Sequence, residues 1–361
     1  MIRAREHIAA MAPYALADLG VPAGVQTISL AQNESAVAPS PRVLAAIGAA
    51  IVDGALYPDP DWNDLRAAIA EVHRVDPLSV LCGAGSMELI GALIKAYAGP
   101  GDTVLSTQYA YAFFRTAAQL SGADYRAAAE TDFTVSVEAL LELVTPETKI
   151  VAVANPGNPT GTEISNAELI WLRENLRPDI LLVIDEAYGE FSAGSAALCR
   201  KLIGGKNTVI LRTFSKAYAL AGLRVGWGHF PAQIATEVRK VLNPNNLSAV
   251  SQAAAAAAMR DQAHMRTIVA EIAYRREDFA RRLEGIGIAT VPSETNFLLL
   301  SFSDAAEANS ANESLRSQGI LMRAMGAYGL NHCLRATIGT QIQMDKAAEN
   351  LAALRVKERL E

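Results

Sequence analysis

The 361-residue sequence has little of the features that mark several special classes of protein. Its three cysteines, Cys82, Cys199 and Cys333, show neither metal-ligand spacing nor an even disulfide pattern, which indicates reduced thiols and no metal site. No run of basic residues accompanies the net charge of −6, so we expect no nucleic acid as partner. The apolar runs are shorter than the ~20 residues of a membrane helix, and no signal-peptide pattern begins the chain. We therefore expect a cytoplasmic protein without a membrane partner.

Hydrophobic residues make up 51% of the chain, enough for a sizeable core. In its middle, short apolar runs alternate with helical patterns. This alternation predicts an α/β fold with a mostly parallel sheet, in which ligands bind at the carboxyl ends of the strands. The predicted strands cover 79–82, 102–106, 149–154, 179–185, 207–212 and 224–230, and the helical patterns between them include 86–98, 167–175 and 231–241.

The two ends of the chain have different patterns. An alanine-rich helical stretch at 248–259 is followed by a mixture of helices and short strands, which is typical of a smaller α+β domain. Near the other end, Ser40 and Pro41 predict the start of a helix. We predict an N-terminal arm with part of the small domain at 1–50, a large domain at 51–245 and a small C-terminal domain at 246–361.

The stretch CGAGSMELIGALIKAY joins a predicted strand to a predicted helix through Gly85 and Ser86. Backbone N–H groups at a helix start attract anions, and glycine allows a phosphate to approach the backbone. Ser86 adds a hydroxyl donor. The alternative is an ordinary turn in which Ser86 caps the helix.

Two further stretches also follow predicted strands. NPGNPTG, at 155–161, contains Asn158, whose amide this loop would hold toward the cleft, unless the segment is only a turn. VIDEAYGEF ends an apolar strand with Asp185, a carboxylate that needs a partner there, and brings Tyr188 soon after. A magnesium-dependent nucleotide hydrolase is the alternative, but the sequence lacks the G-x-x-x-x-G-K-[ST] phosphate loop.

The stretch TFSKAYALAGLRVGW, at 213–227, combines an amine with anion-binding groups. Thr213 and Ser215 offer hydroxyls, Arg224 offers a planar guanidinium, and Lys216 lies between them. Alone, Lys216 would be read as a solvated lysine. Together, the four stretches supply what pyridoxal phosphate needs: an amine for its aldehyde, a carboxylate for its ring nitrogen, and donors for its phosphate and phenolic oxygen.

The order GAGSMELI, NPGNPTG, VIDEAY, TFSKAYALAGLRVGW, CLRATIG resembles that of fold-type I pyridoxal-phosphate aminotransferases, and within them the histidinol-phosphate aminotransferase branch. The resemblance covers essentially the whole chain. It implies a homodimer with shared active sites. It also implies transfer of an amino group from an anionic donor to a 2-oxo acid such as 2-oxoglutarate through a Schiff base on Lys216. Histidinol phosphate, an aromatic amino acid and another amino acid all remain open as donor.

The resemblance also assigns roles to residues. It implies that Lys216 moves the α-proton of the donor and that Asp185 pairs with the ring nitrogen of the cofactor. The other cofactor contacts that it implies are Tyr188 and Asn158 at the phenolic oxygen, Gly85, Ser86, Thr213, Ser215 and Arg224 at the phosphate, and Tyr111, with Tyr109 as the alternative, stacked on the ring. Tyr57, in LYPDP, would reach the phosphate in the neighbouring subunit. Arg335, in CLRATIG, would hold the anionic group of the substrate, with Arg323, Tyr14 and Asn33 as further pocket residues.

The sequence departs from the pattern of many relatives at Met87, near Tyr109 and at Phe114, and these differences leave the identity of the substrate open. Two alternatives share the cofactor. One is a decarboxylase of the threonine-phosphate decarboxylase type. The other is a non-catalytic pyridoxal-phosphate-binding module of a regulator, although no helix-turn-helix extension precedes the arm.

Overall fold

The computed structural model describes residues 2–14, 18–20, 24–193 and 207–358, so Cys199 lies outside the described residues. The strands are β1 (Ile28–Ser29), β2 (Val80–Gly83), β3 (Thr103–Thr107), β4 (Asp124–Ala128), β5 (Glu130–Thr131), β6 (Thr134–Val135), β7 (Thr148–Ala154), β8 (Leu181–Asp185), β9 (Thr208–Thr213), β10 (Gly226–His229), β11 (Ala289–Thr290), β12 (Phe297–Ser301), β13 (Ile320–Leu321), β14 (Arg323–Met325) and β15 (Leu330–Thr337). The α-helices span Glu6–Ala9, Pro41–Ala50, Asn63–His73, Ser86–Tyr97, Phe113–Ser121, Val137–Glu142, Asn166–Asn175, Ala232–Val241, Ala249–Arg260, Gln262–Gly285, Ala305–Ser317 and Gln341–Glu358.

Among the described residues, seven strands form the main sheet in the order β2-β10-β9-β8-β7-β3-β4. All run parallel except β10, which is antiparallel to both of its neighbours. The predicted α/β fold with a mostly parallel sheet is therefore confirmed, and all six predicted strands belong to this sheet. The sequence analysis missed β4, since this edge strand reads DYRAA and has only one fully buried residue.

Both faces of the main sheet are covered. In β8, Leu181 and Val183 pack into one hydrophobic cluster, whereas Leu182 and Ile184 pack into a second cluster on the other face. A strand buried on both faces reads as an unbroken apolar run, which explains the sequence LLVID. As a result, the polar side chain of Asp185 lies at the carboxyl end of a strand with an apolar interior.

The C-terminal part contains a four-stranded antiparallel sheet in the order β11-β12-β15-β14. Near the start of the chain, β1 pairs in parallel with β13, which ties residues 28–29 to the C-terminal part. The predicted helix start is also observed, since the Ser40 side chain accepts a hydrogen bond from Val43 N. The predicted domain boundaries stay a prediction. No helix among the described residues combines the length and apolar character that crossing a bilayer requires.

Candidate active site

A cleft of about 390 Å³ opens at the carboxyl ends of β7, β8 and β9. Most of the residues predicted for the site line it: Tyr14, Asn33, Ser86, Tyr111, Asn158, Asp185, Tyr188, Thr213, Ser215, Lys216, Arg224, Arg323 and Arg335. Gly85 precedes Ser86 at the edge of the cleft. Tyr57 is 89% exposed and is not brought to this cleft in the single chain.

Lys216 follows β9 and extends its amine into the cleft. Its Nζ donates a hydrogen bond of 2.8 Å to the carbonyl oxygen of Asn33, and lies 5.8 Å from the centre of the Tyr188 ring. Loss of solvation in the cleft, helped by the positive charges of Arg335 and Arg224, lowers the pKa of Lys216 to about 7. Lys216 is therefore not the solvated surface lysine that an isolated Ser-Lys pair suggests.

Asp185 ends β8 and is only 4% exposed. Its Oδ1 accepts a hydrogen bond of 3.1 Å from Ala187 N. Burial raises the pKa of Asp185 to about 7, and the charge of Glu186 adds to this while Lys216 opposes it. Glu186 forms a buried ion pair of 2.6 Å with Arg212. A cationic group placed beside Asp185 would favour its ionised form.

A hydrogen-bond network occupies one end of the cleft. The hydroxyl oxygen of Tyr188 accepts bonds from Asn33 Nδ2 at 2.8 Å and from Asn158 Nδ2 at 3.4 Å. Asn158 Oδ1 accepts a bond of 2.6 Å from Arg335 Nη1, and Ala31 O accepts one of 3.2 Å from Nη2. Burial raises the pKa of Tyr188 to about 12, so this hydroxyl keeps its proton at neutral pH. The network joins four segments that are far apart in the sequence.

Arg335 can donate a further hydrogen bond. It is 4% exposed, and its Nε has no hydrogen-bond partner within the described part of the chain. A buried guanidinium N–H without a partner is costly, and an anion in the cleft would satisfy it. Register places Arg323 opposite Arg335 on the neighbouring strand, so both guanidinium groups belong to the same end of the cleft.

The other end of the cleft is an anion cradle. Gly85, with φ of 80°, is the N-cap residue of the helix Ser86–Tyr97, and a Cβ at this position would lie 2.5 Å from Arg224 Nη2. A Cβ at Gly226 would lie 2.2 Å from Ser86 N, so glycine is needed at both places. Ser86 itself begins the helix and is not its cap, so the alternative of an N-cap serine is wrong.

Hydroxyl and guanidinium groups complete this cradle. Thr213 Oγ1 donates to Ser215 Oγ at 3.0 Å, and Arg224 Nη1 donates to the same oxygen at 3.3 Å. Arg224 also donates to Ala221 O at 3.0 Å. These donors and the helix start face the same end of the cleft, which suits a phosphate group.

The structure distinguishes the two candidate tyrosines of the sequence QYAYAFF. Tyr111 lines the cleft, whereas Tyr109 packs against Phe133, with 6.0 Å between ring centres, in a cluster with residues of the small sheet. Burial raises the pKa of Tyr111, and the nearby Tyr14 adds to this effect. Of the departures from relatives, Met87 lines the cleft and Phe114 is a core residue.

Sequence reasoning missed three polar residues that line the cleft: Gln32, Glu34 and Tyr328. Gln32 and Glu34 flank Asn33 in LAQNES, and Tyr328 belongs to AYGL. None of them lies at a strand end of the main sheet. The sequence could have indicated them only through their neighbours, since Gln32 and Glu34 adjoin Asn33 and Tyr328 lies between Arg323 and Arg335.

Pyridoxal phosphate fits these residues. The cleft offers an amine of lowered pKa, a buried carboxylate, an anion cradle that a single Cβ would fill, and an unsatisfied Arg335 N–H. This fold and this donor set define the class of fold-type I pyridoxal-phosphate-dependent enzymes.

Comparison with known proteins specifies the class further. The family model for aminotransferase class I and II matches residues 25–351, and the chain belongs to this family. The histidinol-phosphate aminotransferase of Paramagnetospirillum magneticum is 42% identical over 332 residues, covering 91% of this chain and 92% of that protein. That of Hyphomonas neptunium is 40% identical over 337 residues, with 92% of each chain covered.

A solved structure agrees with these relatives. Histidinol-phosphate aminotransferase from Sinorhizobium meliloti in complex with pyridoxal-5'-phosphate superposes with a TM-score of 0.87 at 30% identity, over 92% of each chain. The protein is a pyridoxal-phosphate-dependent aminotransferase, as the sequence analysis predicted.

Proposed function

We propose that this aminotransferase moves the amino group of histidinol phosphate to a 2-oxo acid such as 2-oxoglutarate. The observation that carries the proposal is the pair Arg323 and Arg335 on neighbouring strands at one end of the cleft. The phosphate of such a donor carries about −1.5 to −2 charges at neutral pH, which two guanidinium groups match. The names of the relatives support the same donor.

Lys216 and Asp185 perform the chemistry in this proposal. Bound pyridoxal phosphate supplies an aldehyde that accepts the amino group and a ring that withdraws electrons from the α-carbon. Lys216 Nζ would bind the aldehyde and would later take the α-proton of the donor, since an amine of pKa about 7 is a base at neutral pH. The Asp185 carboxylate would hold the ring nitrogen in its protonated form, and this positive charge would in turn stabilise the ionised form of the buried carboxylate.

The two ends of the cleft orient the reactants. Gly85, Ser86, Thr213, Ser215 and Arg224 would hold the cofactor phosphate. The hydroxyl of Tyr188 and the amide of Asn158 would bind the phenolic oxygen of the cofactor, and Tyr111 would stack on the ring. Arg335 anchors the anionic group of donor and acceptor in turn, with Arg323, Tyr14 and Asn33 around it.

The active form is a homodimer in this proposal, in which Tyr57 reaches the cofactor phosphate of the other subunit. Support comes from the large apolar side chains that are exposed between residues 44 and 57: Leu44, Ile51, Val52, Leu56 and Tyr57. Replacing Ile51 and Val52 together by serine should give monomers that bind the cofactor weakly, as sedimentation and cofactor titration would report. The matched control is Leu78→Ser, an exposed leucine outside this segment. A monomeric wild-type enzyme with full activity would contradict the dimer.

We also propose a cytoplasmic location, which fits a biosynthetic reaction on small solutes.

Initial rates with a panel of donors test the proposed donor. The panel is histidinol phosphate, phenylalanine and tyrosine, each with 2-oxoglutarate. The readout is glutamate formed and, for the two donors that carry a carboxylate, carbon dioxide released. We expect histidinol phosphate to have the highest kcat/KM by roughly 100-fold, the worth of one or two charge-assisted hydrogen bonds. A higher kcat/KM for an aromatic donor would agree with a transaminase reaction but would overturn histidinol phosphate as the proposed donor. Carbon dioxide without glutamate would favour the decarboxylase.

A further inference from the structure

The loop that carries Asn158 is held from two sides. Gly157 N donates to Thr162 O at 2.8 Å, and Gly161 N donates to Gly157 O at 3.0 Å, so the loop closes on itself. On one side, Gly161 O accepts a bond of 2.8 Å from Glu294 N, in the segment before β12. On the other side, the Thr162 hydroxyl donates to the carbonyl oxygen of Phe133 at 2.7 Å.

Phe133 lies at the tip of the hairpin formed by β5 and β6. The two residues at the tip, Asp132 and Phe133, have φ values of 48° and 62°. Such a tip favours asparagine or glycine, and the left-handed region is costly for a phenylalanine. A residue persists in this region when its surroundings hold it there. Here the surroundings are the bond from Thr162 and the packing of the Phe133 ring against Tyr109.

The hairpin also touches the small sheet. Phe133 and Tyr109 pack in one cluster with Leu299, Met325 and Leu330, which belong to β12, β14 and β15. Arg323 lies on β14 and Arg335 lies on β15. The hairpin that accepts the bond from Thr162 therefore also contacts the two strands that carry these arginines. Asn158 bonds both Tyr188 and Arg335 and belongs to the loop that is held at Gly161 and Thr162.

We propose that Thr162 is a positioning residue of this aminotransferase. Its hydroxyl fixes the loop 155–162 to the Phe133 carbonyl and so sets the direction of the Asn158 amide toward Tyr188 and Arg335. Thr162 does not line the cleft, so it acts through Asn158 and not on the reactants. This inference rests on the proposed role of Asn158 at the phenolic oxygen of the cofactor.

Two substitutions at one position test the proposal. Thr162→Val keeps the shape and removes the hydroxyl, whereas Thr162→Ser keeps the hydroxyl. The matched control is Thr134→Val. It removes a hydroxyl of the β5–β6 hairpin that, within the described ranges, donates a bond of 3.3 Å to Asp132 O. Amide hydrogen exchange of the cofactor-free protein reports the loop directly. The pH midpoint of the visible absorption band and kcat/KM of the loaded enzyme report the effect on the site.

We expect Thr162→Val to speed exchange in peptides that cover 155–162, to shift the pH midpoint, and to lower kcat/KM about 3- to 10-fold, because the hydroxyl loses its bond to Phe133 O and its 3.1 Å bond with the Thr160 hydroxyl. Thr162→Ser and Thr134→Val should stay within about twofold of the wild-type enzyme. Unchanged exchange in Thr162→Val overturns the proposal, and so does faster exchange with an unchanged pH midpoint and kcat/KM. An inactive wild-type enzyme would instead contradict the proposed function, while the exchange data would still decide whether Thr162 holds the loop.

Discussion

The two ends of the cleft are built in different ways. The anion cradle brings together two short stretches, one around Gly85 and one at 213–226, and depends on backbone approaches that only glycine allows. The arginine end joins Asn33, Asn158, Tyr188 and Arg335 from four distant segments through side-chain hydrogen bonds. The cradle therefore comes from two stretches that can each be recognised in the sequence, whereas the arginine end is assembled from single side chains of four segments.

The arginine end should be the more sensitive to a conservative change. Arg335→Lys keeps the charge but loses the planar group that bonds Asn158 and Ala31, and it removes the unpartnered Nε. We expect kcat/KM to fall roughly 100-fold, mostly through KM for donor and acceptor, because charge-assisted hydrogen bonds are lost. Steady-state kinetics with each substrate varied would measure it.

An exposed arginine provides the control for that change. Arg281→Lys, in an exposed ion pair with Asp278, should leave both KM values unaltered. If Arg335→Lys had wild-type KM values, the anion of the substrate would have to bind elsewhere in the cleft.

The cradle should show a smaller effect, confined to the cofactor. In Gly85→Ala the new Cβ meets Arg224 at 2.5 Å, and alanine is strained by about 1–3 kcal/mol at a φ of 80° and a ψ of 165°, a region that essentially only glycine adopts. We expect the dissociation constant of pyridoxal phosphate to rise about 10-fold, with little change in KM for the donor at saturating cofactor. Fluorescence titration of the cofactor-free protein would measure the constant.

The same helix offers a matched glycine. A Cβ at Gly91 would meet only Phe113 at an ordinary 3.8 Å, so Gly91→Ala should bind the cofactor as the wild-type protein does. Equal effects of the two substitutions would mean that the helix, and not the cradle, determines cofactor affinity.

Much of the fold and of the cleft follows from the sequence because the main strands are unbroken apolar runs that end in polar residues. Asp185, Lys216 and Asn158 could be located at strand ends by this pattern alone. The edge strand β4 could not be predicted, since an edge exposed to solvent needs no apolar run.

Other features depend on tertiary contacts that a single sequence does not carry. Tyr109 and Tyr111 are two residues apart, but Tyr109 packs on Phe133, whereas Tyr111 packs near Phe114 and lines the cleft. Glu34 and Tyr328 enter the cleft because β1 pairs with β13 and the small sheet meets the loop of Asn158. Tyr57 is exposed, and its proposed role depends on a neighbouring subunit, which a single chain does not contain.

We propose that the Lys216 amine carries the chemistry, and a comparison of two lysine variants tests this role. Lys216→Ala and Lys240→Ala each remove one lysine, but Lys240 is exposed and paired with Glu237 outside the cleft. With each variant saturated with pyridoxal phosphate, the rate of glutamate formation from the best donor and 2-oxoglutarate is measured in a single turnover. We expect a loss of at least about 10³-fold for Lys216→Ala, because a base in the reaction is removed, and an unchanged rate for Lys240→Ala. A Lys216→Ala rate within about 10-fold of wild type, well below the loss expected for a missing base, would mean that another group takes the proton.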